Sequence, residues 1–206
     1  MVKKAADTKV TILKTALHLF MENGYKSTSY QDLIKQTGLS KGAIYHHFKS
    51  KEDILSSVFE MMYAASTETT PFEPGKLVKD EKSFIKLYTD IKKAQLKGFK
   101  EFLGVKKLNF NKFLFFFEAI NENNTLKVFG GQATKAEITF LEKCFISLKK
   151  YNKLPKGKDP AILAECLHFL IEGAGTIKYF TENVEDEEDW IKMYDKYLKD
   201  FFKIIK

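Results

Sequence analysis

Gly24-Tyr25-Lys26-Ser27-Thr28-Ser29-Tyr30-Gln31-Asp32-Leu33-Ile34-Lys35-Gln36-Thr37-Gly38-Leu39-Ser40-Lys41-Gly42-Ala43-Ile44-Tyr45-His46-His47-Phe48-Lys49-Ser50-Lys51-Glu52-Asp53-Ile54 is the stretch that decides the fold. It reads as two short helices across a tight turn, followed at once by the start of a third. Thr28 or Ser29 can cap the first helix, with Gln31 or Asp32 three residues on as the capping-box partner. Leu33 and Ile34 provide its buried side. Gly38 ends it, because the residue past a helix end often needs a positive φ that glycine takes cheaply. Leu39 fills the elbow, and Ser40 caps a second helix, Lys41 to Phe48. Ile44 and Phe48 are four apart and share an inward face. Lys41, Gly42, Ala43, Tyr45, His46 and His47 are left on or near the outer side. Ser50 caps again, with Asp53 in the box position, and Lys51 sits in the first turn of a long helix.

This layout is a helix-turn-helix. In such a unit the second helix enters the major groove by its N-terminal end, while the helix before it crosses the backbone. Gly42 and Ala43 are small enough for close approach to the bases, and Ala43 suits a thymine methyl. Tyr45, His46 and His47 can donate to phosphates or base edges. Lys41 and Lys51 supply charge, and capped helix N-termini add backbone N–H donors. The plain alternative is a helical hairpin with no DNA role. Three successive caps with an exposed Tyr-His-His between them argue against it.

The segment resembles the DNA-binding motif of the TetR family of bacterial regulators. The resemblance rests on Thr28-Ser29, Gly38-Leu39-Ser40-Lys41-Gly42, Ile44-Tyr45-His46-His47-Phe48 and Ser50-Lys51-Glu52. It covers the first quarter of the chain. It implies DNA contacts at Ser29, Tyr30, Lys41, Ala43, Tyr45, His46 and Lys51. With the residues read directly, the expected DNA-binding set is Thr28, Ser29, Tyr30, Ser40, Lys41, Gly42, Ala43, Tyr45, His46, His47 and Lys51. At Leu33-Ile34-Lys35 the chain departs from the family's usual small residue after the first apolar one. That bears on packing, not on the outer face.

Charge follows the same division. All 34 basic side chains are lysine, and the chain has no arginine. Residues 1–51 hold 9 lysines against 3 acidic residues, a net of +6, out of +7 for the whole chain. A basic N-terminal quarter is what phosphate binding requires. Without arginine, the commonest bidentate contact to guanine is lost, and lysine fixes geometry less well. Readout is therefore expected through thymine methyls, His and Tyr contacts and DNA shape, which suits an A·T-rich operator. A lysine-rich composition also fits an A·T-rich genome, so both causes stay open.

Met1 to Val10 is basic with no apolar stretch behind it, so no signal peptide is expected. The longest apolar candidate, Ala161 to Ile177, is interrupted by Glu165, His168 and Glu172, so no membrane span is expected. Cys144 and Cys166 lack CxxC spacing and read as reduced, buried core thiols of a cytoplasmic protein. The chain has no HExxH, GxSxG, phosphate-binding glycine loop or paired Glu-x-x-His motif. No enzyme activity and no cofactor are expected.

The remainder reads as helix, making the fold class all-α. A first helix should span about Asp7 to Asn23, with Val10, Leu13, Leu17 and Phe20 as its stripe. A long one should run from Lys51 to about Thr69, followed by a linker, Pro71 to Lys76. Further helices are expected at about Asp80–Leu103, Asn109–Asn121, Thr125–Tyr151, Asp159–Thr181 and Glu185–Ile205. Residues 1–50 form the expected DNA-binding domain. Residues 51–206 form an effector-binding and dimerisation domain. Aromatic residues crowd this body. Most must be core, but ligand sites are concave and aromatic-lined, and the resemblance implies a small-molecule site. Phe84, Tyr88, Phe99, Phe113, Phe116, Phe117 and His168 are its candidate lining.

The helix from Asp159 is apolar nearly all round, so it is buried on more than one side. Glu165, His168 and Glu172 form one polar stripe along it. One helix rarely completes a metal shell, so the stripe reads as an interface edge and no metal is expected. Trp190, Tyr194, Tyr197 and Phe201 recur at helical spacing on the last helix. With Glu165 and Glu172 they are the candidate interface of a homodimer, which the resemblance also implies. A twofold dimer would engage two half-sites about 34–36 Å apart. The expected function is a ligand-responsive regulator, a repressor released from a palindromic operator by a small, largely apolar effector. One alternative is a helical regulator controlled by a protein partner, and another is an all-helical enzyme.

Overall fold

In the computed structural model, described residues are 2–67, 73–104, 120, 124–181 and 187–206. Every regular element among them is a helix: α1 (Val2–Asn23), α2 (Tyr30–Thr37), α3 (Lys41–His47), α4 (Lys51–Thr67), α5 (Pro74–Leu77), α6 (Glu81–Leu103), α7 (Asn124–Lys150), α8 (Pro160–Thr181) and α9 (Glu187–Ile205). The all-α class is as the sequence implies. The helix expected at Asn109–Asn121 lies almost wholly outside the described residues.

Local chemistry sets most boundaries. Ser29 and Asp32 form a reciprocal capping box on α2, and Asp80 and Ser83 do the same for α6. Such caps each contribute about 1 kcal/mol. Asp159 accepts from the backbone of Ala161 (2.8 Å) at the start of α8. The segment read as a linker from Pro71 to Lys76 instead contains α5. Pro74 supplies the pre-set φ of a first helical position, and Val78 N donates to Pro74 O at 2.8 Å. Ser147 Oγ, buried on α7, donates to Val78 O at 2.6 Å and ties that turn down.

Two apolar cores result. The N-terminal one joins Ile12, Ala16, Leu17 and Phe20 of α1 to Leu33, Ile44, Phe48 and the α4 residues Ile54, Leu55 and Val58. Val10, expected in the α1 stripe, is 42% exposed; Ile12 and Ala16 are fully buried in that helix. Ile34, at the departure from the family pattern, packs against this core. The core also takes in Leu126 of α7, with Leu96 and Phe99 of α6 packed against it. The body therefore grips the N-terminal unit through α4, α6 and α7. The second core is built from α6, α7, α8 and α9 around Phe84, Phe145, Leu167, Leu198 and Phe202.

Helix α8 is two-sided. Leu163, Ala164, Leu167 and Ile171 are buried, whereas Ile162, Phe169, Ile177 and Phe180 are each more than 60% exposed. Pro160–Lys178 is long and apolar enough to cross a membrane. Its buried side packs on α7 and α9 of the same chain.

Candidate nucleic-acid interface

The turn between α2 and α3 depends on Gly38, whose φ of 69° and N–H to Ile34 O close α2. A side chain there would be strained in the left-handed region. Ser40 then caps α3 by accepting from Ala43 N at 3.2 Å. Ile44 and Phe48 are fully buried beneath α3. Lys41, Gly42, Tyr45 and His46 are exposed, and Ala43 and His47 are half-buried. The sidedness read from spacing is thus the sidedness of the folded helix.

Tyr45 is held in place. Its ring stacks on Tyr30 with centroids 4.7 Å apart and planes 8° from parallel. Lys41 Nζ lies 5.6 Å from the Tyr45 centroid. Tyr30 contributes a ring but not its hydroxyl, which is buried and accepts or donates no hydrogen bond among the described residues. Burial, then the neighbouring Tyr45 and the Glu52 and Asp53 carboxylates, push its pKa up to about 12.

Two of the side chains expected at DNA make hydrogen bonds within the domain. Thr28 is buried; its hydroxyl lies 2.9 Å from Gly24 O and 3.3 Å from Leu19 O. A hydroxyl aimed into the domain cannot reach a phosphate. Lys51 Nζ donates to Tyr25 O (2.9 Å), Lys26 O (3.2 Å) and Thr28 O (3.0 Å). An ammonium has three protons, and in this arrangement three carbonyls take them. Its charge also sits 4.4 Å from the Tyr25 ring centroid. Tyr25 in turn donates to Glu52 Oε1 at 3.2 Å. Sequence reasoning missed this clamp because its partners are more than 20 residues apart. Ser29 stays exposed, but its hydroxyl donates to Asp32 Oδ2 at 2.6 Å.

In the body, Phe84 is core, with ring centroids 5.0 Å from Phe145 and 5.2 Å from Phe202. Phe99 packs against the N-terminal core. Phe113, Phe116 and Phe117 lie outside the described residues. Tyr88 and His168 are brought together, but in polar company that spacing did not reveal. Tyr88 donates to Glu137 Oε1 at 2.7 Å, and Lys92 Nζ lies 2.8 Å from the same oxygen. Burial works against ionising Glu137, yet the Lys92 ammonium holds its pKa below the usual carboxylate value. Burial and Glu137 raise the pKa of Glu172.

Several expected dimer residues make contacts within the chain. Phe201 is buried in the body core. Trp190 lies against α8, where a Cβ on Gly175 would come within 3.0 Å of its Cζ3. Tyr194 packs edge-on to Tyr88, with centroids 5.9 Å apart. Tyr197 is half-buried, and Glu165 and Glu172 are exposed on α8. Spacing alone could not tell packing within the chain from packing between chains.

With this geometry in place, comparison with known proteins is specific. Residues 12–58 match the family model described as bacterial regulatory proteins, tetR family. A helix-turn-helix transcriptional regulator of Shigella flexneri, AcrR, is 42% identical over 59 residues, which are 29% of this chain and 27% of that protein. The fatty acid metabolism regulator protein of Bacillus subtilis is 43% identical over 49 residues, covering 24% of this chain and 25% of that one. The chain thus spans about a quarter of the length of the curated relatives it matches. A TetR-family regulator from Cytophaga hutchinsonii superposes with a TM-score of 0.69 at 20% identity, over 98% of this chain and 96% of that one. Reduced Escherichia coli NemR gives 0.64 at 18% identity, over 97% and 98%. These likenesses extend the fold, though not the sequence, across the body.

Proposed function

We propose that this chain, a TetR-family protein by its N-terminal domain, is a dimeric, ligand-responsive DNA-binding transcriptional regulator that acts as a repressor in the cytoplasm. The observation that carries the reading is the outer face of α3. Lys41, Gly42, Tyr45 and His46 are exposed together, with Ala43 beside them, over a fully buried Ile44 and Phe48. Ser29, Tyr30, Ser40 and His47 border that face. It belongs to the segment carrying +6 of the chain's +7 charge. Lysines neutralise phosphates, and the small and aromatic residues meet base edges.

Dimerisation is supported by the outer side of α8. Ile162, Cys166, Phe169, Gly173, Thr176 and Phe180 are all exposed and recur at alternating steps of four and three. That is the seam spacing of paired helices. Two copies joined along it would carry two α3 helices to successive major grooves. Response to an effector is supported by the contacts of α6 and α7, which pack against both cores. A small molecule with differential affinity for two settings of these helices would shift operator affinity.

The test is binding of the purified protein to DNA upstream of its own gene, across a salt series. Tight binding that beats random competitor and weakens steeply with salt is expected. No binding at low salt would overturn the reading.

A further inference from the structure

We infer that Glu137, His168 and Glu172 form a binding site for a divalent first-row transition-metal cation, bridging α7 and α8. One potential ligand atom from each lies within 4.8 Å of the other two. His168 is 95% buried by its 5% exposure, and its Nδ1 is buried with no hydrogen-bond partner among the described residues. An orphaned buried ring nitrogen is costly unless something binds it. It points to a ligand here because Glu137 Oε2 is 3.8 Å away. That is too far for a hydrogen bond. Two atoms sharing one tetrahedral ion at metal–ligand distances of about 2.0–2.2 Å stand about 3.3–3.6 Å apart, so this pair need close by only a few tenths of an ångström.

The carboxylate is pre-aimed for this. Tyr88 and Lys92 both hold Glu137 Oε1, which leaves Oε2 toward His168. Outer partners of this kind orient metal ligands. Charge agrees: Glu137 and Glu172 face one ammonium, Lys92, and Glu172 has no ion pair of its own among the described residues. Glu172 sits at the exposed rim, free to close on the ion and leave a further position for water or a small ligand. One imidazole and two carboxylates suit Zn²⁺ and its neighbours better than Ca²⁺ or Mg²⁺. The sequence stripe Glu165–His168–Glu172 lacked a second helix, and Glu137 of α7 supplies it.

The test uses the full-length protein, stripped with chelator and titrated with Zn²⁺ against a fluorescent competitor. Co²⁺ serves as a spectroscopic probe of the coordination. No DNA is present, so the outcome is separate from that of operator binding. One equivalent is expected to bind at micromolar concentration or below. His168→Gln and Glu172→Gln should each weaken it beyond the roughly 100-fold that loss of an outer partner costs. Glu172→Gln, at an exposed rim, keeps the test valid if the buried histidine variant folds poorly. Failure of the wild-type protein to bind Zn²⁺ tighter than about 100 µM would overturn the site, a threshold far weaker than known structural zinc. Binding that survives both substitutions, held by surface groups such as His46 and His47, would also overturn it.

Discussion

The Lys51 ammonium lies 3.0 Å from the carbonyl oxygen of Thr28, and Thr28 turns its own hydroxyl inward to Gly24 O. Together they knit the α1–α2 turn to the first turn of α4. A lysine and a threonine beside the proposed DNA face thus hold its support in register. Lys51→Ala should therefore destabilise the protein by about 1–3 kcal/mol, the range for losing hydrogen bonds from a charged group. Urea unfolding would measure it. Unchanged stability with weakened DNA binding would return Lys51 to the phosphates.

The Tyr30–Tyr45 stack separates two roles of tyrosine. Tyr30→Phe removes a buried hydroxyl that has no partner, so stability should hold or rise by up to about 1 kcal/mol. Operator affinity should not change. Tyr45→Ala removes the exposed ring and should lower operator affinity, with a stability loss of about 0.5–1.5 kcal/mol from the lost pairing. Equal losses of affinity for both variants would mean that the Tyr30 hydroxyl reaches DNA.

Gly42 distinguishes helix propensity from groove approach. A Cβ there would meet only Ser40 Oγ, at 4.0 Å. Gly42→Ala should thus stabilise the free protein by about 0.5–1 kcal/mol. The added methyl should still weaken operator binding if the helix approaches the bases closely. Thermal melts and a binding titration on one preparation would check both signs, and undiminished affinity would place the DNA farther from α3.

The proposed dimer seam on α8 and the aromatic stripe on α9 make opposite predictions. Phe169→Glu or Phe180→Glu should shift the protein toward monomer in sedimentation experiments, with each chain still folded, because both side chains are exposed. Phe201→Ala should instead lower stability by about 3–5 kcal/mol through a cavity in the body core. A monomeric Phe201 variant of unaltered stability would contradict this division.

The two cysteines report on the same surface. Burial pushes the Cys144 thiol up to about 12, so it stays protonated and inert at pH 8. Cys166, expected as a core thiol, is instead exposed, because it lies on the outer side of α8 along the proposed seam. Iodoacetamide should modify Cys166 alone, and more slowly as protein concentration rises and the seam closes. Modification of Cys144 at a comparable rate would show that the body core opens readily.

The sequence by itself determined the helix-turn-helix, its inward and outward faces and the all-helical class. Those features rest on caps, a left-handed glycine and residues three or four apart, all local in the chain. It also marked His168 and Glu172 as one stripe, because both belong to one helix. The tertiary structure alone decided what the stripe meets, since Glu137 and Lys92 arrive from α7 and α6. It likewise decided that Lys51 faces three carbonyls and that Phe201 and Trp190 pack within their own chain. An amphipathic pattern states that a face is covered. Which partner covers it is set by how distant helices pack, and helix spacing carries no record of that.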